Sequence, residues 1–437
     1  MKALEFFKDK KVLSWALYDW ANSAFATSVM AAFFPIYFKK FWSAGVDPNV
    51  SSSRLAFSIG FASFIVAILA PFLGAIADQI NAKKRFLLFF FTMGIISTGA
   101  LTFLSQGRWE MAVFLYAFGT IGFSGSNIFY DALLVFVSNK KNVDSVSAFG
   151  FSLGYLGGGL LYLINAIMVM YPSYFGLANE SEAIKISFIM VAFWWGLFAI
   201  PLFLFLPEEK KETNDSFLTS LGKGLSRLKK TFTKLKHLKV TFLFLVSYWC
   251  YIDGVDTIVR LAGDYAIDIG ISTNVLLASF LIVQFVAFPS TIIYIYIFEK
   301  RWGAKAGIMT AIVLYICISI WGYFVQSGTE FLILAFGIGS IQGGIQSLSR
   351  SFFSKIIPAN SPTEFFGFYN MLGKFAAVFG PLLYGLARQY TKSPRESILS
   401  IIILFVLGGI LLYFVDEEQG QKAAQELALV KETEAET

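Results

Sequence analysis

Charged residues are scarce in this sequence. Asp, Glu, Lys and Arg make up 15% of its 437 residues, whereas 56% are hydrophobic and 18% are aromatic. Soluble domains carry about a quarter charged residues, so this composition is typical of a membrane protein. A helix that crosses a bilayer needs about 20 mainly apolar residues, and the chain has room for about a dozen of them.

Reactive side chains are scarce as well. The sequence has one histidine, His237, and two cysteines, Cys250 and Cys317, which lie in apolar runs and indicate packing positions. An enzyme would need a nucleophile–base pair or a set of metal ligands, and an ATP-driven pump would need a P-loop. We therefore expect no enzyme, no cofactor and no metal. The net charge of +6 comes from short basic clusters between apolar runs, so nucleic acid is not an expected partner.

The apolar runs predict an all-α membrane protein with twelve transmembrane helices in two pseudo-symmetric six-helix bundles. The predicted spans are 12–38, 55–78, 86–106, 110–137, 146–171, 185–206, 241–268, 273–298, 306–326, 330–354, 364–390 and 396–415. The domains follow as an N-terminal bundle (12–206), a linker with a basic amphipathic helix (207–240), a C-terminal bundle (241–415) and an acidic tail (416–437). Spans 146–171 and 364–390 both open with Phe-Gly-Phe and then reach Leu-Leu-Tyr, which indicates an internal repeat.

The distribution of basic residues predicts the orientation of the chain. Four clusters fall on one side of the predicted membrane: Lys8, Lys10 and Lys11; Lys83, Lys84 and Arg85; Lys140 and Lys141; Lys300, Arg301 and Lys305. The positive-inside rule makes this side cytoplasmic, together with both termini, the linker and the acidic tail. The basic amphipathic helix of the linker would lie on the anionic inner leaflet or pack on the ends of the bundle.

One predicted span carries a charged stripe. Asp253, Asp256, Arg260, Asp264 and Asp268 are three or four residues apart, so they share one face of a helix. Charged side chains are costly in hydrocarbon and must face partners or a water-filled cavity. We therefore interpret this helix as the wall of a solute pathway, with Asp264 and Asp268 near its outer end.

Other predicted spans carry isolated charges with polar neighbours at helical spacing. The candidate substrate-binding or proton-coupling residues are Asp19, Asn22, Asp253, Asp256, Arg260, Asn370 and Lys374. The candidate gating or latch residues are Asp78, Asp131, Arg350 and Gln346. Leaving any of these polar groups unpaired in lipid would cost free energy, so they must face partners or a wet interior. The alternative is purely structural, with salt bridges such as Asp256–Arg260 or Asp131–Arg350 holding the helices together.

The segment GAIADQINAKKR, from Gly74 to Arg85, resembles the loop motif of the major facilitator superfamily between its second and third helices. That resemblance implies the major facilitator fold, in which the first helix of each three-helix repeat lines the central cavity. It also implies that Asp78 caps a neighbouring helix and supports the outward-open state. Gln79 and Asn81 replace the usual basic residue and glycine of the motif.

A narrower resemblance covers nearly the whole chain. The segments that carry it are WALYDWANSAFAT, FYDALL, VSAFGFSLGYLGG, QSLSRSFFSKIIP and EFFGFYNMLGKFAAVFGP. They resemble the family of the yeast vacuolar amino-acid effluxer of autophagy and its bacterial relatives. The resemblance implies secondary active transport, with amino-acid efflux as the best-known activity, and the short N-terminus suits a bacterial inner-membrane protein.

Three functions remain open from the sequence. The first is alternating-access transport of a small polar or zwitterionic solute, amino acids among the candidates, coupled to protons. The second is proton-coupled export of amphiphilic or cationic compounds through an aromatic pocket, and the third is a membrane sensor or scaffold without transport. The expected partners are a small solute, lipid and protons, and the expected state is a monomer.

Overall fold

The computed structural model describes residues 9–46, 82–139, 141–207 and 238–436, with scattered positions between 54 and 77. Every regular element in this part of the chain is helical and none is a strand, which confirms the all-α prediction. The expected linker helix lies almost wholly in 208–237, outside the described residues. The chain divides into two compact units.

Unit 1 comprises Met1–Leu69, Ala82–Tyr130 and Leu153–Lys210. Its described helices are α1 (Lys10–Ala24), α2 (Lys83–Ala100), most of α3 (Trp109–Val137), most of α4 (Val143–Met170) and α5 (Glu180–Phe205). The Asp9 carboxylate caps α1 by accepting the Lys11 N–H at 2.8 Å. Beyond α1 the chain continues as a π-helix over Phe25–Phe33, named here the π segment, and as a second π-helix over Phe38–Trp42.

Aromatic packing forms the core of unit 1. The Trp195 side chain is fully buried and packs against Phe25, Phe91 and Phe123. Gly94 of α2 allows this ring to approach the backbone, since a Cβ there would lie 2.5 Å from Trp195. Close packing of this kind fixes α2, α3, α5 and the start of the π segment directly after α1, and so fixes the polar groups of these elements.

Unit 2 comprises Ala70–Asn81, Asp131–Ser152 and Lys211–Thr437. It therefore contains the end of α3 and the start of α4. Its other helices are α6 (Lys239–Asp268), α7 (Thr273–Arg301), α8 (Gly303–Phe324), α9 (Gly328–Lys355), α10 (Pro362–Thr391), α11 (Pro394–Leu399), α12 (Ile402–Tyr413) and α13 (Glu417–Glu436). A continuous apolar core joins these helices and includes Ala132 and Ala148 from the α3 and α4 segments.

Nine helical stretches in the described part of the chain are long and apolar enough to cross a membrane. They lie at Lys83–Phe103, Trp109–Val137, Val143–Met170, Glu180–Phe205, Lys239–Gly263, Asn274–Phe298, Gly303–Phe324, Gly328–Lys355 and Pro394–Tyr413. The predicted span 396–415 is divided between α11 and α12, with a break at Ser400 and Ile401. The acidic tail forms α13, and its Gly420 lies against Ile356 and Val240.

A matching lysine contact occurs in each unit. In unit 1, Lys84 Nζ at the start of α2 donates to the carbonyls of Phe203 and Leu206, at 2.9 and 2.5 Å. In unit 2, Lys305 Nζ at the start of α8 donates to the carbonyl of Val415 at 2.6 Å. Each ammonium donates to carbonyls that have no partner within their own helix. Both units therefore stabilise the end of a helix in the same way.

Candidate functional site

Arg350, near the end of α9, lies at the centre of a buried polar cluster in unit 2. Its Nη1 donates to Asp131 Oδ1 at 3.2 Å. Its Nε donates to the Ser147 hydroxyl at 3.0 Å, and its Nη2 donates to the Ser147 carbonyl at 2.9 Å. All three guanidinium nitrogens are thus engaged, and the side chain is only 3% exposed. Such charge-assisted bonds hold the cation in a single geometry.

The remaining surfaces of this ion pair are covered too. The Asn370 amide of α10 donates to Asp131 Oδ2 at 3.2 Å and to the Phe366 carbonyl at 3.0 Å. The Phe151 ring lies 4.0 Å from the guanidinium carbon, in cation–π contact. The sequence grouped Asp131 with Arg350 as a candidate salt bridge and gave Asn370 as a separate candidate, and the structure brings all three into one cluster. A buried pair of this kind is stable only because extra donors and acceptors satisfy both ions.

A second ionic cluster lies at the ends of α9 and α13. Lys355 Nζ contacts Asp144 Oδ2 at 2.6 Å and Glu417 Oε1 at 3.9 Å. Burial raises the pKa of the Glu417 carboxyl, while the Lys355 ammonium opposes that rise. The lysine therefore joins the start of α4, the end of α9 and the start of α13.

Asp253 on α6 is buried, with 1% of its surface exposed. It accepts the backbone N–H of Gly380 at 2.9 Å and the Thr257 hydroxyl at 3.3 Å. Gly380 immediately precedes Pro381 inside α10. Because proline has no N–H, Gly380 rather than Pro381 supplies the backbone donor at this point of the helix. A Cβ at position 380 would clash with the Thr257 hydroxyl and lie 2.8 Å from Asp253 Oδ1. Only glycine permits this approach of α10 to the carboxylate.

Three other charges of the α6 stripe, Asp256, Arg260 and Asp268, are partly exposed. Arg260 contacts Asp256 at 3.9 Å, with 39% and 31% of their side chains exposed. Asp268 instead pairs with Arg388 of α10 at 2.9 Å, with both side chains more than a third exposed. The sequence placed Asp268 near the outer end of the stripe and did not distinguish Asp253 from Asp256, whereas the structure has Asp253 buried and Asp256 partly exposed.

Unit 1 holds the remaining candidates of the first predicted span. Asp19 on α1 is buried and accepts the Tyr130 hydroxyl at 3.0 Å. Asn22, one turn further along, donates to Asn127 Oδ1 of α3 at 2.6 Å. The two residues thus lie on one face of α1, each bonded to α3.

The structure places some predicted residues only in part. Gln346 is half-buried on α9, one turn before Arg350. The side chains of Lys374 and Asp264 and the whole of Asp78 lie outside the described residues. Their assignments remain predictions.

Several site residues were not predicted from the sequence. Ser147, Phe151, Lys355, Asp144 and Gly380 lack a periodic pattern that separates them from other residues of their type. For Ser147 and Phe151 a signal did exist, because both lie in the segment VSAFGF that marks the internal repeat. Their contacts with Arg350 span about two hundred residues of sequence (203 for Ser147) and depend on tertiary packing.

The fold matches those of solved transporters. The chain is similar to the proton:xylose symporter XylE, with a TM-score of 0.73, 15% identity, and 96% of this chain and 98% of that chain covered. It is also similar to the human organic anion transporter MFSD10, with a TM-score of 0.68, 15% identity, and 92% and 99% covered. These structures confirm the major facilitator fold. Together with the 39% identical MFS-type transporter and the family profile described next, this fold makes the chain a transporter of the major facilitator superfamily rather than an enzyme.

Sequence relatives give the narrower assignment. A family profile described as "Vacuole effluxer Atg22 like" matches residues 44–425. The MFS-type transporter YxiO of Bacillus subtilis is 39% identical over 422 residues, covering 95% of this chain and 97% of that protein. Autophagy-related protein 22 of Saccharomyces cerevisiae is 22% identical over 510 residues, covering 96% and 94%. The chain belongs to the Atg22-like family, which confirms the resemblance found in the sequence.

Proposed function

We propose that this transporter moves a small polar or zwitterionic solute, amino acids among the candidates, and couples its movement to protons. We also propose efflux as the direction, because the family profile names a vacuole effluxer. Both termini would be cytoplasmic by the positive-inside rule, and the Bacillus relative favours a bacterial cytoplasmic membrane.

The geometry of Asp253 carries the proposal of proton coupling. Its carboxylate is 1% exposed and is held by two neutral donors, Gly380 N–H and the Thr257 hydroxyl. Among the side chains that the structure describes, no cation pairs with it. A proton can therefore bind to Asp253 without first breaking an ion pair. Its position inside an apolar span is typical of proton-relay carboxylates.

The solute itself would bind through complementary charges. Asp253 and Asp256 would attract an ammonium group, and Lys374 would attract a carboxylate. Asp19, Asn22 and Arg260 are further candidates for contact with the solute. Arg350 is less suited to binding solute, because all three of its nitrogens are already engaged. We therefore assign Arg350, Asp131 and Gln346 to a latch, to which Asn370 contributes by its bond to Asp131.

The test is accumulation of solute in proteoliposomes under an imposed pH gradient. We expect Asp253→Asn to abolish pH-driven accumulation while preserving part of solute exchange, because exchange requires no net proton movement. Asp268→Asn is the matched control, since that carboxylate lies on the same helix but is half-exposed and paired with Arg388. Normal accumulation by the Asp253→Asn protein would remove Asp253 from the coupling role.

The solute class is tested by thermal shift on the purified protein with amino acids, sugars, organic acids and amphiphilic cations. A ligand that binds only the folded protein raises its melting temperature by mass action. Shifts confined to amino acids would support a zwitterion site. Shifts with amphiphilic cations alone would contradict it, and binding without any flux would favour a sensor.

A further inference from the structure

An unusual pair of polar side chains lies in α4 within the apolar sequence LLYLINAIM. Asn165 is completely buried, and neither its Oδ1 nor its Nδ2 has a hydrogen-bond partner among the described residues. The Tyr162 hydroxyl, one turn earlier and 1% exposed, also has no hydrogen-bond partner in that part of the chain. Buried polar groups are nearly always paired, so two such groups on adjacent turns need an explanation.

The pair faces the segment that follows α1. Gly158, Tyr162 and Asn165 are spaced by four and three residues, so they share one face of α4. A Cβ at Gly158 would lie 2.8 Å from the Thr27 hydroxyl. The Tyr162 ring centroid lies 5.8 Å from that of Phe33. Thr27 and Phe33 both belong to the π segment, which therefore packs along the same face as Asn165.

The π segment itself departs from regular helix. Over Phe25–Phe33 the backbone bonds span five residues, and the N–H of Phe34 that follows donates to the Val29 carbonyl. Such stretches are rare and often mark functional sites. Ser28, inside the segment, is fully buried, and its hydroxyl has no hydrogen-bond partner among the described residues. Unpaired polar groups thus occur on both elements of this contact.

Polar groups that are buried without a partner destabilise the conformation in which water cannot reach them. A buried amide without partners loses its bonds to water and gains none, so an apolar side chain of the same size would be more stable there. A transporter, however, exposes its binding residues in another conformation, where a solute can bond to them. The side chains of Tyr162 and Asn165 are uncharged, so they complement an uncharged amide or hydroxyl group. A site that hydrogen-bonds such a group discriminates strongly against solutes that lack it.

We propose that Tyr162 and Asn165 form a subsite for an uncharged amide or hydroxyl group of the transported solute. This proposal rests on the proposed transport function and deepens it. The subsite selects among solutes by a neutral group rather than by their charge.

The first test measures the melting temperature of the Asn165→Leu variant. A binding role for Asn165 predicts that this temperature rises, and a structural role predicts that it falls. We expect Asn165→Leu to raise the melting temperature of the solute-free protein, because it removes an unpaired amide. Asn22→Leu is the matched control and should lower it, because Asn22 is bonded to Asn127 at 2.6 Å. Ile164→Leu, at a residue that is 42% exposed beside Asn165, should change it little. A lower melting temperature for Asn165→Leu would overturn the proposal.

The second test compares thermal shifts with L-glutamine, L-serine and L-leucine, which share charged groups and differ in the side chain. In the wild type we expect glutamine or serine to bind at least about tenfold more tightly than leucine, from one or two extra hydrogen bonds. Asn165→Leu should remove that preference, and Ile164→Leu should keep it. No preference in the wild type, or one that survives in Asn165→Leu, would overturn the subsite.

Failure of the subsite is distinguishable from failure of transport. If vesicles that contain the wild-type protein transport solutes equally well with and without an amide or hydroxyl group, the subsite alone is overturned. Vesicles that move no solute would overturn the proposed function, while the sign of the Asn165→Leu stability change would still decide whether its amide is unpaired.

Discussion

Two of the Arg–Asp pairs that the structure describes in unit 2 have the same chemistry but very different surroundings. Arg350 and Asp131 are 3.2 Å apart, with 3% and 12% of their side chains exposed. Ser147 and Phe151 also contact Arg350, and Asn370 also contacts Asp131. Arg260 and Asp256 are 3.9 Å apart with 39% and 31% exposed. The first pair joins residues 219 apart in sequence, and the second joins residues four apart on one helix.

The difference shows that burial and additional bonds, rather than the ion pair alone, decide what a pair does. Exposed pairs contribute about 0–1 kcal/mol, because water solvates the separated ions almost as well. Removing one ion of a buried pair leaves the other uncompensated and costs about 3–5 kcal/mol. The Arg350 cluster can therefore hold two segments together firmly, whereas the α6 pair can open at little cost. A latch needs the first property, and a solvated binding surface needs the second.

The largest expected effect follows loss of the Arg350 guanidinium. We expect Arg350→Ala to lower the free energy of unfolding by about 3–5 kcal/mol, because Asp131 stays buried without its cation. Turnover in vesicles should fall more than solute affinity does. Arg350→Lys should recover only part of the stability, because one ammonium cannot contact both Ser147 and Asp131 with the same geometry. A selective loss of affinity would move Arg350 from the latch into the binding site.

A double-mutant cycle isolates the pair itself. Arg350→Met and Asp131→Asn are each expected to destabilise the protein, whereas the double variant should lose less than the sum of the two. The coupling energy should be about 0.5–3 kcal/mol, as is usual for residues in direct contact within one network. Unfolding by SDS titration of the four proteins gives this number. Strict additivity would mean that Asp131 and Arg350 do not act as a pair.

The comparison also shows how far sequence reasoning reaches. The length of the apolar runs predicted the helical class. The position of charges within apolar runs made Asp131, Arg350 and Asp253 candidate site residues. Both properties are local and can be read from the sequence. The α6 spacing was read as one functional surface, yet helical period alone cannot report burial, and Asp253 differs sharply from Asp256. Ser147 and Gly380 act through contacts between distant segments. Asn165 is distinguished by burial without a hydrogen-bond partner among the described residues, which also follows from tertiary packing.

Glu417 is expected to have a smaller effect that depends on pH. Burial raises the pKa of its carboxyl above the usual 4.5, against the opposing influence of Lys355 and Lys305 and with added repulsion from Asp144. Packed α13 therefore holds the proton more tightly than detached α13. Its packing should be strongest below pH 4.5 and should weaken as the pH rises through the raised pKa.

A nitroxide spin label on a cysteine at the exposed position Gln425 reports this change, after replacement of Cys250 and Cys317. We expect the label to become more mobile as the pH rises above 4.5. Glu417→Gln should remove that dependence, whereas Glu418→Gln, at an exposed neighbour, should preserve it. A label whose mobility rises on acidification would contradict the sign of the effect and would indicate that the ion pair with Lys355 outweighs burial.

The smallest expected effect is that of the exposed pair. Arg260→Ala should change the free energy of unfolding by less than about 1 kcal/mol, because its contact with Asp256 is long and half-solvated. Raising the salt concentration should reduce even this contribution, since exposed charges are screened. If Arg260 lines the solute pathway, its loss should instead change solute affinity, so the variant separates function from stability. A loss of stability as large as that of Arg350→Ala would break the comparison, because it would mean that spacing along one helix, rather than burial, sets the strength of these pairs.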